Sequence, residues 1–215
     1  MSDLRSAVYI AQPIPYAPVR PSVGGVWSPV SCALIYSAKE AVLDDSPITL
    51  VNIYITHGRG DHFFGIPVVQ THFPGAKAVA TPQHIHCLRI TSFTSCWKAG
   101  GCYRLSRLAT KTRVTTIPWV PDLKLAVCGD VVYGQVHQML FEANTRAKRD
   151  EWIRAVEKVK ALGPMYVVPG HRQAEEIDRI WHLAAPKKYI EDFGKLIPGA
   201  LRLGDYGLFQ VLRER

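Results

Sequence analysis

The segment His57-Gly58-Arg59-Gly60-Asp61-His62 sets two imidazoles and a carboxylate within six residues. Its two glycines let the backbone turn tightly enough to aim those groups together. Asp130 and His171, far downstream, each follow an apolar run and add one more carboxylate and one more imidazole. Three imidazole nitrogens and two carboxylates suit zinc, and also iron or manganese. A single ion held by three or four of these groups keeps a position for water, whose pKa falls from 15.7 toward about 7, giving hydroxide at neutral pH. Such a pool points to metal-assisted hydrolysis.

Three strand-like runs must bring the five residues together. The β-branched and aromatic run VNIYIT, from Val51, reads as a buried strand that stops at His57. Leu123 to Cys128 leads to Gly129-Asp130, and Met165 to Val168 leads through Pro169-Gly170 to His171. In open α/β sheets ligands gather where loops leave the carboxyl ends of strands, so the three runs predict one shared rim. Between the second and third runs, Arg149 to Leu162 spaces Trp152, Ile153, Val156, Val159 and Leu162 as a helix, with Lys158 and Lys160 near its end and Gly163-Pro164 after it. Strand, helix and strand in this order predict a parallel crossover. Upstream, Cys32 to Tyr36 and Glu40 to Leu43 read as an early hairpin, and the first 30 residues as edge strand and loop. Ala174 to Leu183 and Lys187 to Leu196 read as two helices parted by Pro186.

With these residues in place, ITHGRGDHFFG resembles the H-x-H-x-D-H signature of the metallo-β-lactamase superfamily. PDLKLAVCGDVVYGQVHQML and VVPGH resemble that family's bridging-aspartate and final-histidine strands. Residues 32 to 85 and 118 to 193 fit the pattern. The resemblance implies an α/β fold, a four-layer αββα sandwich, and hydrolysis of esters, thioesters, lactones, lactams or phosphodiesters at one or two metal ions. Carried over, it makes Asp61, His62, Asp130 and His171 the second metal site, complete, with His57 an auxiliary ligand. The first site in that family takes three histidines. Here Arg59 stands where the second belongs, and no His lies between 87 and 136 to serve as the third.

One zinc ion is therefore expected, with manganese or iron as alternatives. Asp61 and Arg59 are the catalytic candidates: Asp61 as acceptor of the water's proton, Arg59 as a fixed positive charge holding a substrate carboxylate or polarising a carbonyl. Tyr133 and His137 are candidates to face a substrate. The alternative is a catalytically inactive remnant of the same fold with a structural or partner-binding role, in which Arg59 repels the missing ion. His84 and His86, at strand spacing, read as an exposed pair.

Composition bounds the rest. The chain's 215 residues, 47% apolar and 20% charged, match one domain with a real core. No apolar run approaches the roughly 18 to 20 residues of a membrane span. Five cysteines without a C-x-x-C pair suit reduced thiols. The opening MSDLRSAVYIAQPIPY lacks the basic and apolar blocks of a secretory signal, so a cytoplasmic location is expected.

The net charge of +8 is local, because residues 62 to 121 carry seven basic side chains and no acidic one. Within that stretch, residues 87–117 look atypical of the fold: positions 89 to 116 hold nine Ser or Thr and six basic residues with no sustained apolar period. An altered reading frame or splice in a parent gene with a full site would leave such a segment. Its Phe93, Trp97 and Tyr103 are ingredients of a single-strand nucleic-acid platform, but no recognised nucleic-acid-binding signature accompanies them. The expected partner is a small-molecule substrate, with no nucleic acid and no membrane.

Overall fold

The computed structural model describes residues 4–16, 25–26, 28–37, 50–80, 104–110 and 113–196. Ten strands and three α-helices make up the described part. Its centre is the predicted crossover: β9 (Leu125–Tyr133) and β10 (Tyr166–His171) run parallel, joined by α2 (Arg146–Lys160). β9 is apolar nearly throughout and buried along its length, as a central strand covered on both faces must be. The helix starts three residues before its predicted Arg149 because the Thr145 side chain accepts from the Lys148 backbone N–H and so caps it. Lys158 and Lys160 lie in its last turn, where the helix dipole favours cations.

β9 is flanked on its other side by β8 (Arg113–Val120), which pairs with β7 (Arg104–Thr110) as an antiparallel hairpin, giving the order β10-β9-β8-β7. Residues 104–110 and 113–116 of the acid-free stretch are thus strand, although no apolar alternation announces them; positions 87–103 lie outside the described residues.

One face of this sheet packs Ile117, Ala126, Cys128 and Val167 against Trp152, Val156 and Val159 of α2 and against Ile190 and Phe193 of α3 (Ala184–Leu196). The opposite face packs Val120, Leu125 and Val168 against Leu4, Val8 and Ile35. Those three belong to an antiparallel pair, β1 (Leu4–Ile10) with β4 (Ser31–Ser37). Helices, sheet and second sheet therefore form successive layers, each burying apolar area at roughly 25 cal/mol per Å². Small β2 (Pro15–Tyr16) and β3 (Gly25–Val26) form a further pair. The predicted hairpin from Cys32 is corrected in its partner: the Cys32–Tyr36 run pairs with β1, and Glu40 to Leu43 lies outside the described residues.

A second parallel pair comes from the VNIYIT run. β5 (Asn52–Tyr54) joins β6 (Lys77–Val79) through α1 (Ile66–His72). Among the described residues Cys32 and Cys128 are free thiols, and no helix is long and apolar enough to cross a membrane.

Downstream of β10 the predicted helix Ala174 to Leu183 is replaced by an irregular loop and a short 3-10 turn, Ile180–Leu183. Local side chains claim the backbone groups a helix would need: Arg172 Nη1 donates to the carbonyls of Gln173 and Ala174, and Gln173 N–H donates to Glu176 Oε1. The next helix runs through Pro186 instead of starting after it, since Pro186 falls in the first turn, where a missing N–H costs nothing.

Candidate metal centre

Each ligand candidate is delivered by a distortion of regular structure. β5 ends at Tyr54, and Thr56-His57 follows as a buried bend in which Thr56 Oγ1 lies 3.0 Å from His57 Nδ1. Gly60–His62 forms one 3-10 turn, which carries Asp61 and His62. Asp130 does not follow its strand, as the sequence suggested, but sits inside it. Between the pairs Pro169↔Gly129 and His171↔Tyr133, β10 advances two residues while β9 advances four, so Asp130 lies in a bulge outside the ladder.

Two glycines make that bulge possible. Gly129 has φ +48°, and a Cβ there would lie 2.6 Å from Thr56 Oγ1. A Cβ on Gly170 would lie 2.6 Å from the Gly129 carbonyl carbon and 2.8 Å from Asp130 Oδ1, so the strands carrying Asp130 and His171 close on each other only without one.

The five predicted ligand candidates converge. His62 Nε2 lies 3.1 Å from Asp130 Oδ1, 3.3 Å from His171 Nε2 and 3.6 Å from Asp61 Oδ2. His171 Nε2 lies 3.3 Å from Asp61 Oδ2 and 3.4 Å from Asp130 Oδ1. His57 joins from the side, its Nε2 3.6 Å from Asp130 Oδ2 and its ring 4.2 Å from that of His62. His57, His62, Asp130 and His171 are buried or nearly so, whereas the Asp61 side chain is 41% exposed.

These spacings test whether a metal fits. Bonds of about 2.0 to 2.2 Å arranged tetrahedrally put neighbouring donors roughly 3.3 to 3.6 Å apart. Five of the six separations among Asp61 Oδ2, His62 Nε2, Asp130 Oδ1 and His171 Nε2 span 3.1 to 3.6 Å. Two groups of three, one of His57, His62 and Asp130 and one of Asp61, His62 and His171, each bring their donor atoms within 4.8 Å of one another. His171 also carries the outer support a ligand needs: its Nδ1 donates to the Ser28 carbonyl at 3.1 Å, which aims Nε2 into the cluster. Three protein donors within such distances are what a metal ion with an open position for water takes, and each group supplies them.

Charge in the cluster is mutually dependent. Burial alone would raise the Asp130 carboxyl, but hydrogen bonds from His171, His57 and His62 outweigh it and hold the group well below the usual range. His171 is the converse case: burial pulls it down, yet hydrogen bonds with Asp130 and Asp61 push it up to about 9. Asp61 is lowered too, since its contacts with His171 and His62 exceed its own desolvation.

The remaining candidates take different places. Arg59 Nε lies 3.9 Å from Asp61 Oδ1 and 4.0 Å from Asp130 Oδ2, its side chain 28% exposed. Tyr133, expected to face a substrate, is instead buried: its hydroxyl donates to Asp130 Oδ2 at 2.7 Å and its ring stacks on His171. It positions the carboxylate. His137 is exposed, with Nδ1 3.3 Å from the Tyr189 hydroxyl, and lines a cleft of about 620 Å³ with Ser28, Gln135 and Tyr189. His84 and His86 lie outside the described residues.

Sequence reading missed three supports. Ser28 acts through its carbonyl, which no residue type signals. Glu176 accepts from the backbone N–H groups of Gln135 and Gln173, tying the loop after β9 to the loop after β10. Buried Arg172 braces that second loop through Asp178, with Nε 3.0 Å from its Oδ1. The Arg-Gln-Ala-Glu-Glu spacing was the available signal, absorbed into a predicted helix.

No family model matches the chain, and no curated protein sequence matches it. Solved structures do. DIM-1 metallo-β-lactamase superposes with a TM-score of 0.61 at 16% identity, covering 86% of this chain and 99% of that one. VMB-1 at pH 5.5 gives 0.61 at 18% identity, covering 88% and 93%. The metallo-β-lactamase FIM-1 from Pseudomonas aeruginosa, in its mono-zinc form, gives 0.58 at 12% identity, covering 88% and 92%. Identities this low speak to architecture alone, and with the layered sheets and converging rim they establish that the chain has the fold of the metallo-β-lactamase superfamily.

Proposed function

We propose that the protein is a metal-dependent hydrolase of a small ester, thioester, lactone or lactam, holding one zinc ion through Asp61, His62, Asp130 and His171, with His57 as an auxiliary ligand. The observation that carries this reading is the gathering of donor atoms from three separate parts of the chain around His62 and His171, at 3.1 to 3.6 Å in five of their six pairs. The likeness to structures named metallo-β-lactamases supports it. When bound, such an ion supplies hydroxide at neutral pH by lowering the pKa of its water.

The chain's own residues do the rest. Asp61, the most exposed of the four carboxylate and imidazole ligands, is the group able to turn from the ion and accept a proton from water. Arg59, beside it and partly open to solvent, contributes a fixed positive charge toward a substrate carboxylate or carbonyl. Tyr133 holds Asp130 from its outer side, and Ser28 holds His171. The proposal includes a cytoplasmic location and a small-molecule partner.

A screen of chromogenic esters, thioesters and lactams with added zinc, manganese or iron tests it. Turnover should vanish with a chelator and return with metal. Silence with all three metals supports the second reading, an inactive remnant, which the placement of Arg59 against both carboxylates favours.

A further inference from the structure

We propose that the Arg59 guanidinium is a resident cation of the centre, so that the protein takes one divalent ion and excludes a second. The inference rests on the metal-centre part of the proposed function. Both carboxylates divide their oxygens. Asp61 Oδ2 and Asp130 Oδ1 face His62 and His171 at 3.1 to 3.6 Å. The outer pair faces elsewhere: Asp61 Oδ1 lies 3.9 Å and Asp130 Oδ2 4.0 Å from Arg59 Nε. Asp130 Oδ2 also receives the Tyr133 hydroxyl at 2.7 Å and lies 3.6 Å from His57 Nε2.

Beside the group of Asp61, His62 and His171, then, His57, His62 and Asp130 form a second group of donors within 4.8 Å of one another, and the Arg59 Nε lies 4.0 Å from its carboxylate oxygen Asp130 Oδ2. Two carboxylates, one divalent ion and the guanidinium leave a single net positive charge; a second ion would raise that to three. His57 and Asp130 are buried, so solvent and salt screen such repulsion weakly. Arginine cannot relieve it by losing a proton. Tyr133 reinforces the arrangement by filling one lone pair of the very oxygen a second ion would bind.

The test uses the full chain, stripped of metal, and its Arg59→Met, Arg59→His and Arg59→Lys variants. Each is loaded with excess zinc, freed of unbound ion by gel filtration and assayed by elemental analysis, with cobalt(II) absorption as a parallel readout. One equivalent is expected in the wild type and in Arg59→Lys, which keeps the charge. Arg59→Met or Arg59→His should double that to two. Two equivalents in the wild type, or one in every variant whose circular dichroism matches the wild type, overturns the proposal. No bound zinc in the wild type overturns it together with the hydrolase reading. One equivalent with no turnover of any substrate overturns the hydrolase reading alone and leaves this one standing.

Discussion

The Tyr133 ring stacks on that of His171, 5.3 Å between centroids and 15° between planes, while its hydroxyl donates to Asp130 Oδ2 at 2.7 Å. One buried side chain thereby fixes a ligand candidate on each of two adjacent strands. Burial, and then the Asp130 charge, raise the phenol well above its ordinary pKa, so it stays a donor throughout the usable pH range. The bulge in β9 is what makes the contact possible, because residues three apart in a regular strand point to opposite faces.

Tyr133→Phe should keep the stacking and lose the hydrogen bond. A charged acceptor deprived of one buried donor costs about 1 to 3 kcal/mol, and loss of such outer support weakens metal binding by about 10 to 100-fold. Denaturant midpoints of the metal-free protein and zinc competition against a chromophoric chelator measure the two effects. Unchanged zinc affinity in a destabilised variant would show that the hydroxyl serves the fold alone.

Removing single ligands should separate the inner set from the auxiliary. Asp130→Ala takes away a donor that faces two others, and His171→Ala one that faces three, all at 3.1 to 3.4 Å, so both should abolish zinc uptake measured by elemental analysis. His57→Ala should lower affinity without abolishing it, since His57 Nε2 stands to the side, 3.6 Å from the outer oxygen of Asp130. Equal losses in all three variants would mean that His57 belongs to the primary set.

The parts of this site legible in the sequence are those with local signatures. Asp61 and His62 stand in one short turn, and the parallel crossover from β9 to β10 announces itself through apolar runs, a helical period and a Gly-Pro stop. What stayed hidden is non-local. The partner of β4 is β1, chosen by packing of Val8 and Ile35 over Val120, Leu125 and Val168, which no spacing rule ranks above a hairpin with the next run. The role of Tyr133 depends on a bulge that the string LAVCGDVVY does not display except through Gly129. Residues 174 to 179 have helical composition, but Arg172 and Glu176 spend their side chains on nearby backbone groups, and those contacts outcompete the helix.

The same network predicts a pH dependence of stability. His182 is fully buried against Trp181, with Nδ1 3.7 Å from Glu176 Oε2 and Arg172 also nearby. Burial, only partly offset by the Glu176 charge, lowers its pKa below the ordinary 6.5. Above that value the ring is neutral in both folded and unfolded chains, and titration of His182 does not alter stability. As pH falls below 6.5 the unfolded chain takes up a proton that the folded ring resists, so stability drops until the folded pKa is passed. One proton sets the upper bound on the slope, about 1.4 kcal/mol per pH unit. Urea unfolding of the metal-free wild type and His182→Gln between pH 7.5 and 5 isolates this contribution, because the other titrating groups are common to both. The variant should be less stable at pH 7.5 yet lose less on acidification, so that the two curves converge. Parallel curves would show that His182 keeps its ordinary affinity for protons in the fold and that burial beside Glu176 carries no titration penalty.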